Sequence, residues 1–333
     1  MKADQKTVKD IELICSLDKD WRPDNIEIKK AGGQTNNNWI VQFKNKKFFA
    51  RLPWERADIV DREVEAGNTL ALARCKKLAD ILPKYHLYIF KKKNILSRSP
   101  KKIFDLPDGA MVMEYIEGKD VDGRDLENPK IQTALIRALY CFHVSGVKFV
   151  NNYDVFRDEV LKYRREAKKY NLDKLISKGK IKKIEEIEEL MKEKLVLGGR
   201  VPAHNDLIFE NLRLGKDGKV YLLDFEYGGF NIRDGLHYDL GIILGGNLFQ
   251  ENPIKIESYD EILRKASKIY QKKFNPNKAY CGALVNILVM FWWGLVKYFS
   301  STTREDKKCF KDYALKRADG IEFLYNNIKE NIV

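Results

Sequence analysis

Residues 201–241 read VPAHNDLIFENLRLGKDGKVYLLDFEYGGFNIRDGLHYDLG. Leu212-Arg-Leu214 and Val220-Tyr-Leu-Leu223 are strand-like runs, and Gly215-Lys-Asp-Gly218 between them is a turn sequence. The stretch therefore predicts a tight hairpin. A hairpin folds its ends together, so Asn211, before the first strand, should meet Asp224, after the second. Asp206, on the loop leading to Asn211, reaches the same cleft. An amide oxygen and a carboxylate at one spot are hard ligands, suited to Mg²⁺.

The spacing His204-x-Asp206-x-x-x-x-Asn211, followed by Asp224-Phe225, matches the catalytic loop and metal segment of kinases. The chemistry accounts for the residue types. Phosphoryl transfer from a nucleotide needs a metal to neutralise developing phosphate charge and a carboxylate to orient the attacking hydroxyl. Each fragment alone is an ordinary loop sequence. Together, with a hairpin between them and a β-rich region upstream, they are specific.

Upstream, the chain reads β-β-β-α-β-β. Ile26–Ile28, Trp39–Phe43 and Lys47–Leu52 are strand-like, residues 58–76 have helical spacing, and Leu82–Phe90 and Ala110–Ile116 are two further strands. Residues 6–18 suggest a short helix before them. Gly32-Gly33, in the cluster AGGQTNNN that ends with Asn36–Asn38, would let backbone N–H groups approach phosphates; a plain turn is the equal alternative. Arg51 stands where kinases place a phosphate-binding Lys, and its fork suits phosphate oxygens. A helix carboxylate should hold it: Glu65 first, Glu63 second. Met113-Glu114-Tyr115-Ile116 is the expected link between lobes, where backbone groups would meet adenine. From about residue 119 the chain is mostly helical, with helices over 131–145, 156–170 and 181–195 and again from 257 onward.

Composition narrows the classes. The 333 residues are 44% hydrophobic and 33% charged, which is globular rather than disordered. Lys and Arg number 61 against 48 Asp and Glu, so the net charge is +13. Such a surplus is compatible with nucleic acid, but Lys is spread evenly and paired with acids, as in KKIEEIEELMKEK. Residues 91–102 (KKKNILSRSPKK) alone carry six basic residues, no acid and no aromatic. Five dispersed cysteines without a CxxC pair argue against a disulfide framework. The charged N-terminus lacks a signal-peptide core, so the chain reads as cytoplasmic. Ala279–Val296 is 18 residues without a charge, which barely reaches the length of a membrane span. Asn286, Gly282 and Gly294 inside it fit a buried core helix better.

The chain resembles the choline/ethanolamine kinase family, within the aminoglycoside-phosphotransferase-like small-molecule kinases. GGQTNNNW (32–39), FARLP (49–53), DREVEAGN (61–68), MEYIEG (113–118), HNDLIFEN (204–211), LLDFEYGGFN (222–231) and YDLG (238–241) carry the resemblance, over about residues 26–299. It implies an α+β, two-lobed, protein-kinase-like fold. An antiparallel N-lobe with one helix (1–117) would precede a larger helical C-lobe (118–333). It implies Mg²⁺-ATP-dependent transfer of the γ-phosphoryl group to choline or a related amino alcohol, with an aminoglycoside, thiamine or a sugar as alternative acceptors. Asp206 would be the base, with His204 supporting its loop. Asn211 and Asp224 would hold the metal. Gly32, Gly33, Asn36, Arg51, Glu65, Glu114 and Ile116 would meet the nucleotide. Tyr227, Tyr238 and Trp293 would supply part of an aromatic box for a cationic alcohol. Two positions depart from the family. Gly246 stands where it carries an acid near the acceptor, and Val296 where it carries a second aromatic. Glu251 is the nearby acid that would restore the charge. No membrane insertion is implied, and the sequence does not show oligomeric state.

Overall fold

The computed structural model describes residues 12–15, 18, 20–31, 36–53, 61–97, 106–271 and 274–332. Gly32 and Gly33, most of the expected 6–18 helix and the second half of the basic run 91–102 lie outside them.

Alternating apolar residues build the first layer. Strands β1 (Ile26–Ala31), β2 (Asn36–Phe43) and β3 (Lys46–Pro53) form an antiparallel meander, in which Trp39 pairs with Ala50 and Asn38 with Arg51. Helix α1 (Arg62–Arg74) follows, shorter than the sequence suggests. Asp61 caps it, its Oδ1 accepting from the N–H groups of Glu63 and Val64 at 3.0 and 3.1 Å. Strands β4 (Tyr85–Phe90), β5 (Lys93–Asn94) and β6 (Met111–Glu114) complete a six-stranded sheet in the order β1-β2-β3-β6-β4-β5. Val41, Ala50, Leu52, Ile89 and Val112 form its core.

After β6 the chain crosses to the second part of the molecule. Strand β7 (Gly118–Asp120) no longer belongs to the first sheet. Helix α2 (Pro129–His143) has Asn128 as cap and Pro129 in its first turn. Strand β8 (Asn152–Tyr153) precedes a π-helical turn, Phe156–Val160, which runs into α3 (Leu161–Ala167). The expected single helix over 156–170 thus opens with a π turn. Helix α4 (Lys178–Lys194) and strand β9 (Val201–Ala203) lead to the predicted hairpin, β10 (Leu212–Gly215) and β11 (Val220–Leu222), which pairs with β7. Strand β12 (Gly229–Asn231) lies between β8 and β9.

The rest is helical: α5 (Gly235–Gly245), α6 (Ile256–Ile269), α7 (Pro276–Ser300) and α8 (Arg304–Ile332). Helix α7 contains the long uncharged stretch. Of its most apolar window, 78% is buried, against α3, α4, α5 and α8. Helix α5 approaches it closely enough that a Cβ at Gly241 would come within 2.6 Å of the Ala279 carbonyl oxygen. Only glycine fits there.

Candidate active site

The hairpin closes as the sequence predicts. The Leu223 N–H donates to the Asn211 carbonyl at 2.9 Å, which holds the two hairpin ends together. The Asn211 amide donates through Nδ2 to Asp206 twice, to the backbone oxygen at 2.9 Å and to Oδ2 at 2.8 Å. That arrangement leaves Asn211 Oδ1 for another partner. Asp224, one residue beyond Leu223, has φ +53°, a left-handed conformation that costs a non-glycine residue energy. Its carboxylate lies 3.8 Å from Arg51 Nη1 and keeps 36% of its side-chain surface open to the cleft.

One buried carboxylate shapes the loop before Asp206. Asp239, on α5 and fully buried, accepts three bonds. His204 N–H and Asn205 N–H donate to its Oδ2 and Oδ1 at 2.8 Å each, and His143 Nε2 lies 2.9 Å from Oδ2. Asn205 sits at φ +66°, held by bonds to the Tyr227 carbonyl and to Asn231. His204 is buried, with Nε2 2.7 Å from the Leu223 carbonyl, while its Nδ1 accepts from the Asp206 N–H at 3.3 Å. Burial lowers its pKa, so the ring stays neutral and braces the loop. Asn247 braces the other side: its Oδ1 accepts from the Phe209 N–H at 2.7 Å. Nothing about His143 or Asn247 in the sequence signals this duty.

Across the cleft, Arg51 and Glu65 form a buried pair at 2.5 Å. Glu65 Oε2 also accepts from Arg62 at 2.5 Å and from the Tyr88 hydroxyl at 2.6 Å. Burial opposes its charge, but Arg51 and Arg62 outweigh burial and lower its pKa. Glu63 points outward, 77% exposed, toward Lys91. Asn36 is buried at the start of β2. Where the chain crosses between its two parts, the Glu114 N–H is used by the Lys84 carbonyl at 2.8 Å, and Arg213 Nε donates to the Ile116 carbonyl at 2.5 Å. The Ile116 N–H has no partner among the described residues.

The acids of the cleft repel one another. Asp206 is raised well above the usual carboxylate range, first by burial and then by Glu159 and Asp224. Glu226, which follows Phe225, is pushed up to about 9 by burial and by Asp224 and Asp206. Asp224 Oδ1 and Glu226 Oε2 are buried without a hydrogen-bond partner. Such unanswered carboxylate oxygens fit a cation. Among the described residues no group of three His, Cys, Asp or Glu forms a preformed metal cage. Two carboxylates and one amide oxygen suit Mg²⁺, which keeps water and phosphate ligands.

The three aromatic candidates separate. Tyr227 is half-buried and its carbonyl accepts from Asn205 Nδ2 at 2.9 Å, whereas Tyr238 is 1% exposed. Trp292 is wholly buried and donates from Nε1 to Glu188 at 2.9 Å. Trp293, on the next face of α7, is partly exposed and packs against Phe310 and Tyr313 of α8 at 5.6 and 5.4 Å. Glu251 is exposed.

The choline/ethanolamine kinase family model matches residues 31–275. The chain is 25% identical to Protein LicA of Haemophilus influenzae over 306 residues, 88% of this chain and 78% of that protein. It is 31% identical over 141 residues to a probable ethanolamine kinase of Arabidopsis thaliana, covering 40% of this chain and 36% of that protein. The structure of choline kinase LicA from Streptococcus pneumoniae superposes with a TM-score of 0.68 at 19% identity, over 95% of this chain and 99% of that one. The chain belongs to the choline/ethanolamine kinase family: a phosphotransferase with an alcohol acceptor, built on a kinase-like α+β fold.

Proposed function

We propose that this family member transfers the γ-phosphoryl group of Mg²⁺-bound ATP to the hydroxyl of choline or a related amino alcohol, working in the cytoplasm. The division between the nucleotide lobe (1–117) and the catalytic lobe (118–333) belongs to this reading. The observation that carries it is the facing of two clusters across one cleft: Asp206, Asn211, Asp224 and Glu226 on one side, the Arg51–Glu65 pair on the other.

Each group has a task. Adenine stacks between the lobes and accepts a bond from the Ile116 N–H; Glu114 lends its backbone to the same segment. Arg51, held by Glu65, bonds nucleotide phosphate oxygens, a task in which Asn36, at the start of β2, and the backbone N–H groups of Gly32 and Gly33 would share. Asn211 and Asp224 would hold Mg²⁺, which when bound would supply positive charge to the transferred phosphate. Asp206, oriented by Asn211, accepts the proton of the alcohol hydroxyl as its oxygen attacks the γ-phosphorus and the bond to ADP breaks. Positive charge arriving with Mg²⁺ and a cationic alcohol lowers the proton affinity of Asp206, which makes it a competent base near neutral pH.

A coupled ADP-release assay across choline, ethanolamine, thiamine, aminoglycosides and sugars tests the reading. We expect turnover with an amino alcohol. Loss of the Asp206 carboxylate (Asp206→Ala) should lower kcat by roughly 10²–10⁴, with ATP binding retained. Absence of turnover with every hydroxyl acceptor, or wild-type rates in Asp206→Ala, would reject it.

A further inference from the structure

The positive end of a cationic alcohol is favoured by an anion as well as by aromatic faces, and the family position for the anion is closed here. A Cβ at Gly246 would come within 2.7 Å of Ile208 Cγ2, 3.0 Å of the Ile242 carbonyl oxygen and 3.3 Å of Asn286 Oδ1. Of the other acids whose charge reaches Asp206, Asp224 lies 3.8 Å from Arg51, Glu226 is under the influence of Asp224 and Arg51, and Glu210 is exposed and bonded to Gln250 Nε2 at 3.0 and 3.2 Å.

One acid remains. Glu159 lies on the π-helical turn Phe156–Val160 and is 8% exposed. Tyr153 donates its hydroxyl to Glu159 Oε1; the second oxygen has no hydrogen-bond partner, and no cation lies within ion-pair distance among the described residues. Its surroundings are aromatic. The Tyr153 ring is 6.3 Å from that of Tyr238, and Glu159 also acts electrostatically on Tyr163 and Tyr227. Buried carboxylates are ordinarily paired with a cation or a set of donors. Here the protein supplies one hydroxyl and a set of rings, and π turns recur at functional sites.

Resting on the kinase reading above, we propose that Glu159 is the anion that receives the positive end of the acceptor, in a wall of Tyr153, Tyr163 and Tyr227, with the hydroxyl turned toward Asp206. The acid missing at Gly246 is thus supplied from the π turn 156–160. Glu159 is a specificity residue and takes no part in proton transfer. Burial pushes its carboxyl up to about 7, Tyr153 opposing, as expected of an acid whose cation has not arrived.

The test compares choline with its uncharged isostere, 3,3-dimethylbutan-1-ol, in the wild type and in Glu159→Gln, which copies the shape of the protonated acid. We expect Glu159→Gln to raise the KM for choline at least tenfold, with little change in kcat or in the KM for ATP. The isostere should be handled equally by both proteins. Glu159→Asp, which keeps the charge, should recover part of the choline affinity and serves if Glu159→Gln does not fold. Direct titration of choline, with nucleotide present, reads the same charge preference without turnover. An unchanged choline-to-isostere preference in both variants overturns the assignment. Charge-dependent choline binding through Glu159 without phosphoryl transfer upholds it and rejects the kinase reading.

Discussion

At the residue scale the cleft is governed by which charges find partners. Glu65 holds Arg51, Arg62 and the Tyr88 hydroxyl in a buried cluster, and Glu63, two residues earlier, holds nothing structural. Glu65→Gln should cost about 3–5 kcal/mol, because it removes the buried carboxylate shared by Arg51 and Arg62 and leaves Arg51 only Asp224 at 3.8 Å, and should raise the KM for ATP. Glu63→Gln should change stability by less than about 0.5 kcal/mol. Urea unfolding of both variants checks the pair. Both glutamates fall inside the helical pattern of residues 58–76 that follows the strand of Arg51, so sequence alone could only rank them; burial separates them. Glu159 bears on pH. Its folded pKa, about 7, lies above the ordinary glutamate value, so the folded protein keeps a proton that the unfolded chain releases. Stability is therefore lost as pH rises from about 4.5 to 7, by at most ~3 kcal/mol from this group. Glu159→Gln should flatten that slope in ligand-free protein. Equal slopes in the two proteins would show that Glu159 ionises normally in the fold.

At the element scale, the hairpin β10–β11 positions Asn211 and Asp224, and α5 positions the loop before it through Asp239. The hairpin was legible because its signals are local: two apolar runs around Gly215-Lys-Asp-Gly218. The support was not. His143 comes from α2 and Asn247 from beyond α5, and each makes its contact through a fold that no short spacing encodes. The same holds for the π turn at 156–160, where the sequence shows only helical periodicity. Asp239→Asn tests the bracing. An amide offers one acceptor oxygen where three donors converge, so one N–H loses its bond. A loop shift of 1 Å would cost about 10² in kcat while nucleotide binding, seated across the cleft, stays within a factor of a few. Matched losses in ATP binding and kcat would mean that Asp239 supports the whole lobe.

At the scale of the whole molecule, two features of composition find different explanations. The uncharged stretch in α7 is used by packing: its wholly buried residues include Phe291, Trp292 and Leu295. The +13 charge coexists with a cleft that is locally acidic on the catalytic side, where burial, Glu159 and Asp224 raise the proton affinity of Asp206, and burial, Asp224 and Asp206 raise that of Glu226. Net charge therefore says little about the site. The cleft's own sign makes a sharper prediction. ATP without a metal brings phosphate charge against Asp224 and Glu226, with Arg51 as the cation opposite. ATP with Mg²⁺ brings a cation to the oxygens of those residues that no hydrogen bond satisfies. At about 100 times its Kd, a ligand that binds only the folded state stabilises it by about 2.7 kcal/mol, which is a rise of a few degrees in Tm for a chain of this size. We expect that rise with ATP and Mg²⁺ and little of it with ATP and EDTA at the same concentration. Asp224→Asn should narrow the difference by removing the repulsion and a metal ligand together. If ATP stabilises the wild type equally with and without Mg²⁺, Asn211 and Asp224 are not the metal site, and the unpaired oxygens answer to another cation.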